Sequence, residues 1–202
     1  MKKYLLYILL IGMIPACTDD GYYDYDPYNY HNNPPYDYPT VYSLQTYTSE
    51  DWDSWEYELG DTTGWLKTYV SEDWDSWEFS LAGTQGTIRT YTSEDWDHWE
   101  LNTSGHSIDI QTYTSEDWDS WEITDNQSGF DARVRTYTSN DFDHWEVTVN
   151  GYEQLDITTW VSEDWDHWEI EGNKEAFTLP ELAAVLFIPV YTSAIHMRGL
   201  DE

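Results

Sequence analysis

The chain holds a single cysteine, and only eight lysines and arginines stand against forty acidic residues. One thiol excludes an internal disulfide, so any core must form by burial alone. So few cations, at a net charge of −32, exclude nucleic-acid binding by phosphate neutralisation and exclude docking on an anionic membrane surface through charge. The apolar run Tyr4 to Ile14 is too short to be a permanent transmembrane helix. There is no Ser/His/Asp set, no zinc-ligand spacing and no phosphate-binding loop, so no catalytic residue is expected and the chain reads as non-enzymatic.

What the chain does have is a repeat. The pattern T-Y-x-S-E-D-W-D-x-W-E recurs six times, with its first aromatic at Trp52, Trp74, Trp96, Trp118, Phe142 and Trp165. Spacings of 22, 22, 22, 24 and 23 residues mark one small supersecondary unit used repeatedly. In the third copy, Thr87 to Thr92 is β-branched and aromatic, Ser93 to Trp96 carries turn formers, and His98 to Leu101 reads as a second strand. Each repeat is therefore a hairpin.

Register follows from chemical sense. A four-residue loop over Ser93 to Trp96 pairs Thr90 with Trp99, Arg89 with Glu100 and Ile88 with Leu101. The same rule pairs Leu66 with Phe79, Ile110 with Ile123, Val134 with Val147, Ile157 with Ile170, Lys67 with Glu78 and Arg135 with Glu146. Each such cross-strand pair contributes roughly 0.2–1 kcal/mol. A slip of one residue would set Arg89 against Leu101. One face then carries the aliphatics, Thr and the second tryptophans (Trp55, Trp77, Trp99, Trp121, Trp145 and Trp168) and forms the core; the other carries Lys, Arg, Gln, Tyr and Glu.

The expected fold is all-β, an antiparallel meander of roughly twelve short strands from six hairpins over residues 41–175, curled or barrel-like. The alternative, a parallel β-solenoid, stacks the loop acids in ladders about 4.8 Å apart, where like charges repel. Residues 176–202 are expected to cover the apolar face. Thr178 and Glu181 form a capping box, Leu182 to Ile188 is a buried helix, Pro189 ends it, and Val190 to Ser193 reads as a further strand.

The N-terminus carries Lys2 and Lys3, then the apolar run, then Ile14-Pro15-Ala16-Cys17. This resembles the lipobox of bacterial lipoproteins, and the resemblance implies removal of residues 1–16 as a signal peptide, lipidation of Cys17 and a membrane link through the lipid. Thr18-Asp19-Asp20 resembles the acidic surface-export signal of Bacteroidota lipoproteins, which implies a surface-exposed outer-membrane protein of the cell envelope. Residues 17–40, rich in Tyr, Asp and Pro, read as a disordered tether.

Two features of the loops are candidate binding groups. Loop parity points Trp52, Trp74, Trp96, Trp118, Phe142 and Trp165 outward, where they could stack on a glycan or meet an envelope protein. The D-x-D pairs Asp51 and Asp53, Asp73 and Asp75, Asp95 and Asp97, Asp117 and Asp119, and Asp164 and Asp166 are candidate calcium ligands, in which case the domain is a calcium-stabilised acidic scaffold; no cofactor is otherwise required. Ser, Asp and the following Trp of each loop resemble the Asp-box hairpin, which implies that Ser and the first Asp hold the turn. The pairing of short hairpins with Trp and Tyr resembles, in scale and composition, the choline-binding modules of bacterial surface proteins. His98, His144 and His167 interchange with Ser54, Ser76 and Ser120, so that position asks only for an outward polar residue.

Overall fold

A computed structural model describes residues 42–93, 95–115 and 117–197. The expected signal peptide, the expected lipidation site Cys17 and the expected tether lie outside the described residues. Among the described residues there are twelve strands: β1 Tyr42–Thr46, β2 Ser54–Leu59, β3 Thr62–Thr68, β4 Ser76–Leu81, β5 Thr84–Thr90 and β6 His98–Thr103. Then come β7 Ser107–Thr112, β8 Ser120–Asp125, β9 Phe130–Thr136, β10 His144–Val149, β11 Tyr152–Thr159 and β12 His167–Gly172. A 3-10 turn at Lys174–Ala176 leads into one helix, α1 Leu179–Met197.

Each strand pairs antiparallel with its neighbours in sequence, and β12 returns to β1 to close a barrel. The solenoid is thereby ruled out. The register is the one that residue chemistry demanded: Arg89 faces Glu100, Lys67 faces Glu78, and Ile157 faces Ile170. All six second tryptophans are fully buried, with the aliphatics of both strands beside them. Glycine makes room beside one inward ring: a Cβ on Gly86 would lie 2.6 Å from the Phe79 ring and 2.5 Å from the Asn102 carbonyl.

The helix fills the barrel. Ala183, Val185, Leu186, Phe187 and Ile188 point to all sides of α1 and are all fully buried, which only complete enclosure achieves. Phe187 meets Trp77 at 5.8 Å and Trp99 at 5.0 Å, and Tyr191 meets Trp99 at 4.7 Å. The capping box forms as expected: the Thr178 N–H donates to Glu181 at 2.7 Å, and Ser128 Oγ donates to the same carboxylate at 2.8 Å. Phe177 packs on Phe130, and Tyr191 reaches Trp118. The helix therefore enters among the short turns, at the end opposite the motif loops, and runs toward those loops.

Two expectations for this segment need correction. Pro189 does not end the helix, and Val190 to Ser193 is helical. Proline removes one N–H bond, but the surrounding wall leaves the segment nowhere else to go. Thr192 and Ser193 bond back into the helix, to the carbonyls of Ile188 at 2.8 Å and Pro189 at 2.5 Å. That satisfies hydroxyls which the apolar lumen could not otherwise accept.

No helix among the described residues is long and apolar enough to cross a membrane. The barrel wall itself is charged outside and apolar inside, the reverse of a lipid-facing barrel. Replacing Phe187 by Ala should lower stability by about 3–5 kcal/mol, since a rigid barrel cannot collapse onto the void. Urea denaturation of the two proteins measures this.

Candidate functional site

The six motif loops crowd one end of the barrel as a crown. Each is built from two successive turns. In the third copy the Asp95 N–H donates to the Thr92 carbonyl at 2.9 Å, and the His98 N–H to the Asp95 carbonyl at 3.4 Å. The first turn needs a left-handed residue at its third position, and Glu50, Glu72, Asn140 and Glu163 take φ of 64°, 64°, 60° and 66° there.

These turns break the strand alternation, and the loop aromatics accordingly do not point outward. Trp52 and Trp74 are buried, at 7% and 9% exposure, while Trp96, Trp118, Phe142 and Trp165 are half-buried against the core. Each second tryptophan donates its indole N–H to the carbonyl of the first aromatic, at 2.8–3.1 Å across the six copies. The first aromatics thus roof the barrel over the end of α1, and the expectation of an outward stripe of loop tryptophans is corrected.

The acids are also engaged. The second aspartate of each loop accepts a hydrogen bond from the serine of the next loop: Ser71 to Asp53, Ser93 to Asp75, Ser115 to Asp97, Ser139 to Asp119 and Ser162 to Asp143, at 2.5–2.7 Å. Ser49 to Asp166, at 2.8 Å, closes the ring. The backbone carbonyl of the same aspartate also takes the N–H of a threonine in the next hairpin, as Asp75 does from Thr90 at 3.0 Å. So the serine joins its loop to the preceding one and does not hold its own turn, a departure from the Asp-box expectation. The first aspartates sit within the turns: Asp73 and Asp141 accept the backbone N–H of Asp75 and Asp143. Among the described residues no three His, Cys, Asp or Glu side chains are placed together as metal ligands. The crown brings Asp51, Asp95, Asp117 and Asp164 to the same rim without converging them.

Burial alone would push the Asp143 carboxyl up. Hydrogen bonds from Ser162, the Glu163 N–H, Trp165 and Thr159 outweigh it and hold this carboxyl below its ordinary value. Asp164 is pushed up, first by its hydrogen bond with Asp166 and then by burial and the charge of that neighbour. For Asp166, burial acts upward, but the bonds with Asp164, Ser49 and the Glu50 N–H prevail and hold it down.

The exposed aromatics are different residues. Tyr47, Tyr69, Tyr91, Tyr113, Tyr137 and Trp160, one per loop, are between 57% and 70% exposed. They form a belt on the outer wall just below the crown. Several rings lie flat on a basic side chain: Tyr91 on His98 and Tyr137 on His144 at 4.7 Å, and Trp160 on His167 at 5.3 Å. Arg133 lies 3.9 Å from the Tyr113 ring and Arg89 5.8 Å from that of Tyr69. The interchange of Ser and His in the sequence is therefore compensated in two of the three serine copies. Where Ser76 and Ser120 replace histidine, an arginine from the next strand reaches the ring. His98 and His144 are held in turn by Asp109, at 2.5 Å, and Asp156. Strand parity had already placed these tyrosines on the outward face, and that was the signal that could have found the belt.

At one junction of the crown the sixth loop meets the first. A cleft of about 420 Å³ opens there between Trp52 and Trp165. No protein-family model, curated protein or solved structure matches the chain.

The sign of one pH effect follows from Asp143. A depressed carboxyl stabilises the fold above its ordinary pKa of about 3.9, and this contribution is lost as pH falls through the lower folded value. The stability difference between the wild type and Asp143→Ala should therefore stay constant from pH 7 to 5 and shrink below about pH 4. Urea melts of both proteins across that range test it, and a difference that persists at pH 2 would contradict it.

Proposed function

We propose that this chain is a non-enzymatic, surface-anchored lipoprotein whose barrel is a glycan-binding module. The observation that carries the reading is the belt of six equivalent exposed aromatics. Five of the six rings are backed by the protein's own histidine or arginine and stay more than half exposed, which offers what the C–H face of a sugar ring stacks on. Equivalent positions two strands apart lie roughly 10 Å from one another, so an extended glycan can engage more than one ring. Weak contacts repeated in this way add by avidity.

Two further features support it. The barrel interior is occupied by α1, which leaves the outer wall and the crown as the binding surfaces. The described chain begins at Tyr42, at the end opposite the crown, since β1 runs from there toward the first motif loop. Crown and belt therefore lie away from the end at which the described chain begins. The acidic charge favours a neutral or cationic glycan over an anionic one.

A glycan array probed with the mature protein tests the reading. Binding should fall about tenfold or more, with the melting temperature unchanged, when Tyr69, Tyr91 and Tyr113 are replaced together by Ala. An array without signal, or a signal indifferent to the three substitutions, refutes it. For the anchor, Cys17→Ala should abolish incorporation of a labelled fatty acid and move the protein from the membrane to the soluble fraction; a variant that stays membrane-bound counts against it.

A further inference from the structure

Six loop junctions repeat one plan, with Phe142 in place of an indole at the fourth, and the closing one joins the two ends of the repeat array. At three junctions the loop indole N–H donates to the second aspartate of the preceding loop: Trp96 to Asp75 at 3.0 Å, Trp118 to Asp97 at 3.3 Å and Trp165 to Asp143 at 2.5 Å. At the closing junction Trp52 is the equivalent residue and Asp166 the equivalent acceptor. Asp166 accepts from the Ser49 hydroxyl and the Glu50 N–H, and the Trp52 indole N–H finds no acceptor among the described residues, although the side chain is only 7% exposed. Among the described residues the bridging contacts are also the longest of their kind, Ser49 to Asp166 at 2.8 Å and the Glu50 N–H to Asp166 at 3.3 Å.

The result is the cleft of about 420 Å³ between Trp52 and Trp165, with Glu50, Glu163, Asp164 and Asp166 at its rim. Its size falls in the range of small-molecule sites. We propose that this seam is a binding cleft for an amino-sugar unit, whose hydroxyl accepts the Trp52 indole N–H and whose ammonium meets the rim carboxylates. Trp52 lines the cleft, and its unpaired indole N–H is available there to a ligand oxygen. The indole walls suit the C–H face of a sugar ring, and the carboxylates demand a cation. A bare metal ion fits less well: an indole N–H turns its positive end toward the cleft, and no three acids converge there as ligands. The ligand class rests on the glycan-binding reading above, but the site is separate from the belt.

The test uses the mature protein with 15N-labelled tryptophan, the Trp52 indole signal being assigned through Trp52→Phe. A glucosamine trimer should shift that signal. Its affinity should fall about tenfold in Trp52→Phe and several-fold in Glu163→Gln, and the N-acetylated trimer should bind about tenfold more weakly. Trp96→Phe, whose indole is already held by Asp75, should leave binding unchanged. A Trp52 signal that stays put with glucosamine, or that moves only with calcium, overturns the proposal, as does equal affinity for the acetylated trimer. Binding that needs Tyr69, Tyr91 and Tyr113 but neither Trp52 nor Glu163 overturns the seam and leaves the belt standing; dependence on Trp52 and Glu163 alone does the reverse.

Discussion

A twelve-stranded barrel encloses more space than its own inward side chains fill, and the rest of this structure depends on how that space is occupied. Eight strands leave a lumen that side chains alone can pack; twelve do not. Here the six buried tryptophans line the wall and α1 supplies the remainder, with Phe187 and Tyr191 set among Trp77, Trp99 and Trp121. Neither part is stable without the other. The helix is apolar on every side and has no tolerable existence in water, and the barrel without it would hold a void bounded by indoles.

Filling the lumen displaces function to the surface, and there the governing problem is charge. Six loops rich in acid are brought to one rim, where bare carboxylates would repel one another. The crown answers by turning one aspartate of each loop into an acceptor for the next loop's serine, backbone and, in several copies, indole. An acid bound by two or three donors is a structural link, and its charge is held by dipoles set around it. The same residues that strain the compact state by their number thus tie neighbouring hairpins together.

How much of this could be read from the chain depended on whether a residue lay in regular structure. The pairing of Arg89 with Glu100 and of Ile88 with Leu101 was legible, because one buried face makes a slipped register costly in every copy at once. Strand parity also placed Tyr91 outward. Parity failed for Trp96, because two turns lie between it and the strand, and alternation has no meaning across a turn. Pro189 misled for a different reason: the rule that proline ends helices assumes an alternative for the chain, and a helix inside a barrel has none. The serines were misread because a hydroxyl that bonds the neighbouring hairpin looks, in sequence, like one that bonds its own turn. The expectation of a curled or barrel-like sheet held, while the pairing of β12 with β1 that closes it joins segments too far apart in sequence for any local pattern to show.

That closure bears most on where a specific site can exist. Six near-identical units give six near-identical surfaces, and a unique binding site requires asymmetry. Copy-to-copy variation supplies a little, as where Asn140 replaces glutamate at the left-handed turn position. The larger source is topological. Five junctions join loops that follow one another along the chain, whereas the sixth must bring together hairpins separated by the whole domain, with Ser49 meeting Asp166 across 117 residues. The curvature summed over five junctions need not deliver the sixth at the ideal separation, and any misfit collects at the seam. There the indole N–H of Trp52 makes no counterpart of the bonds that Trp96, Trp118 and Trp165 make to the preceding loop. A repeat barrel therefore generates a distinct site at its closing junction through geometry, without any change in the repeated motif.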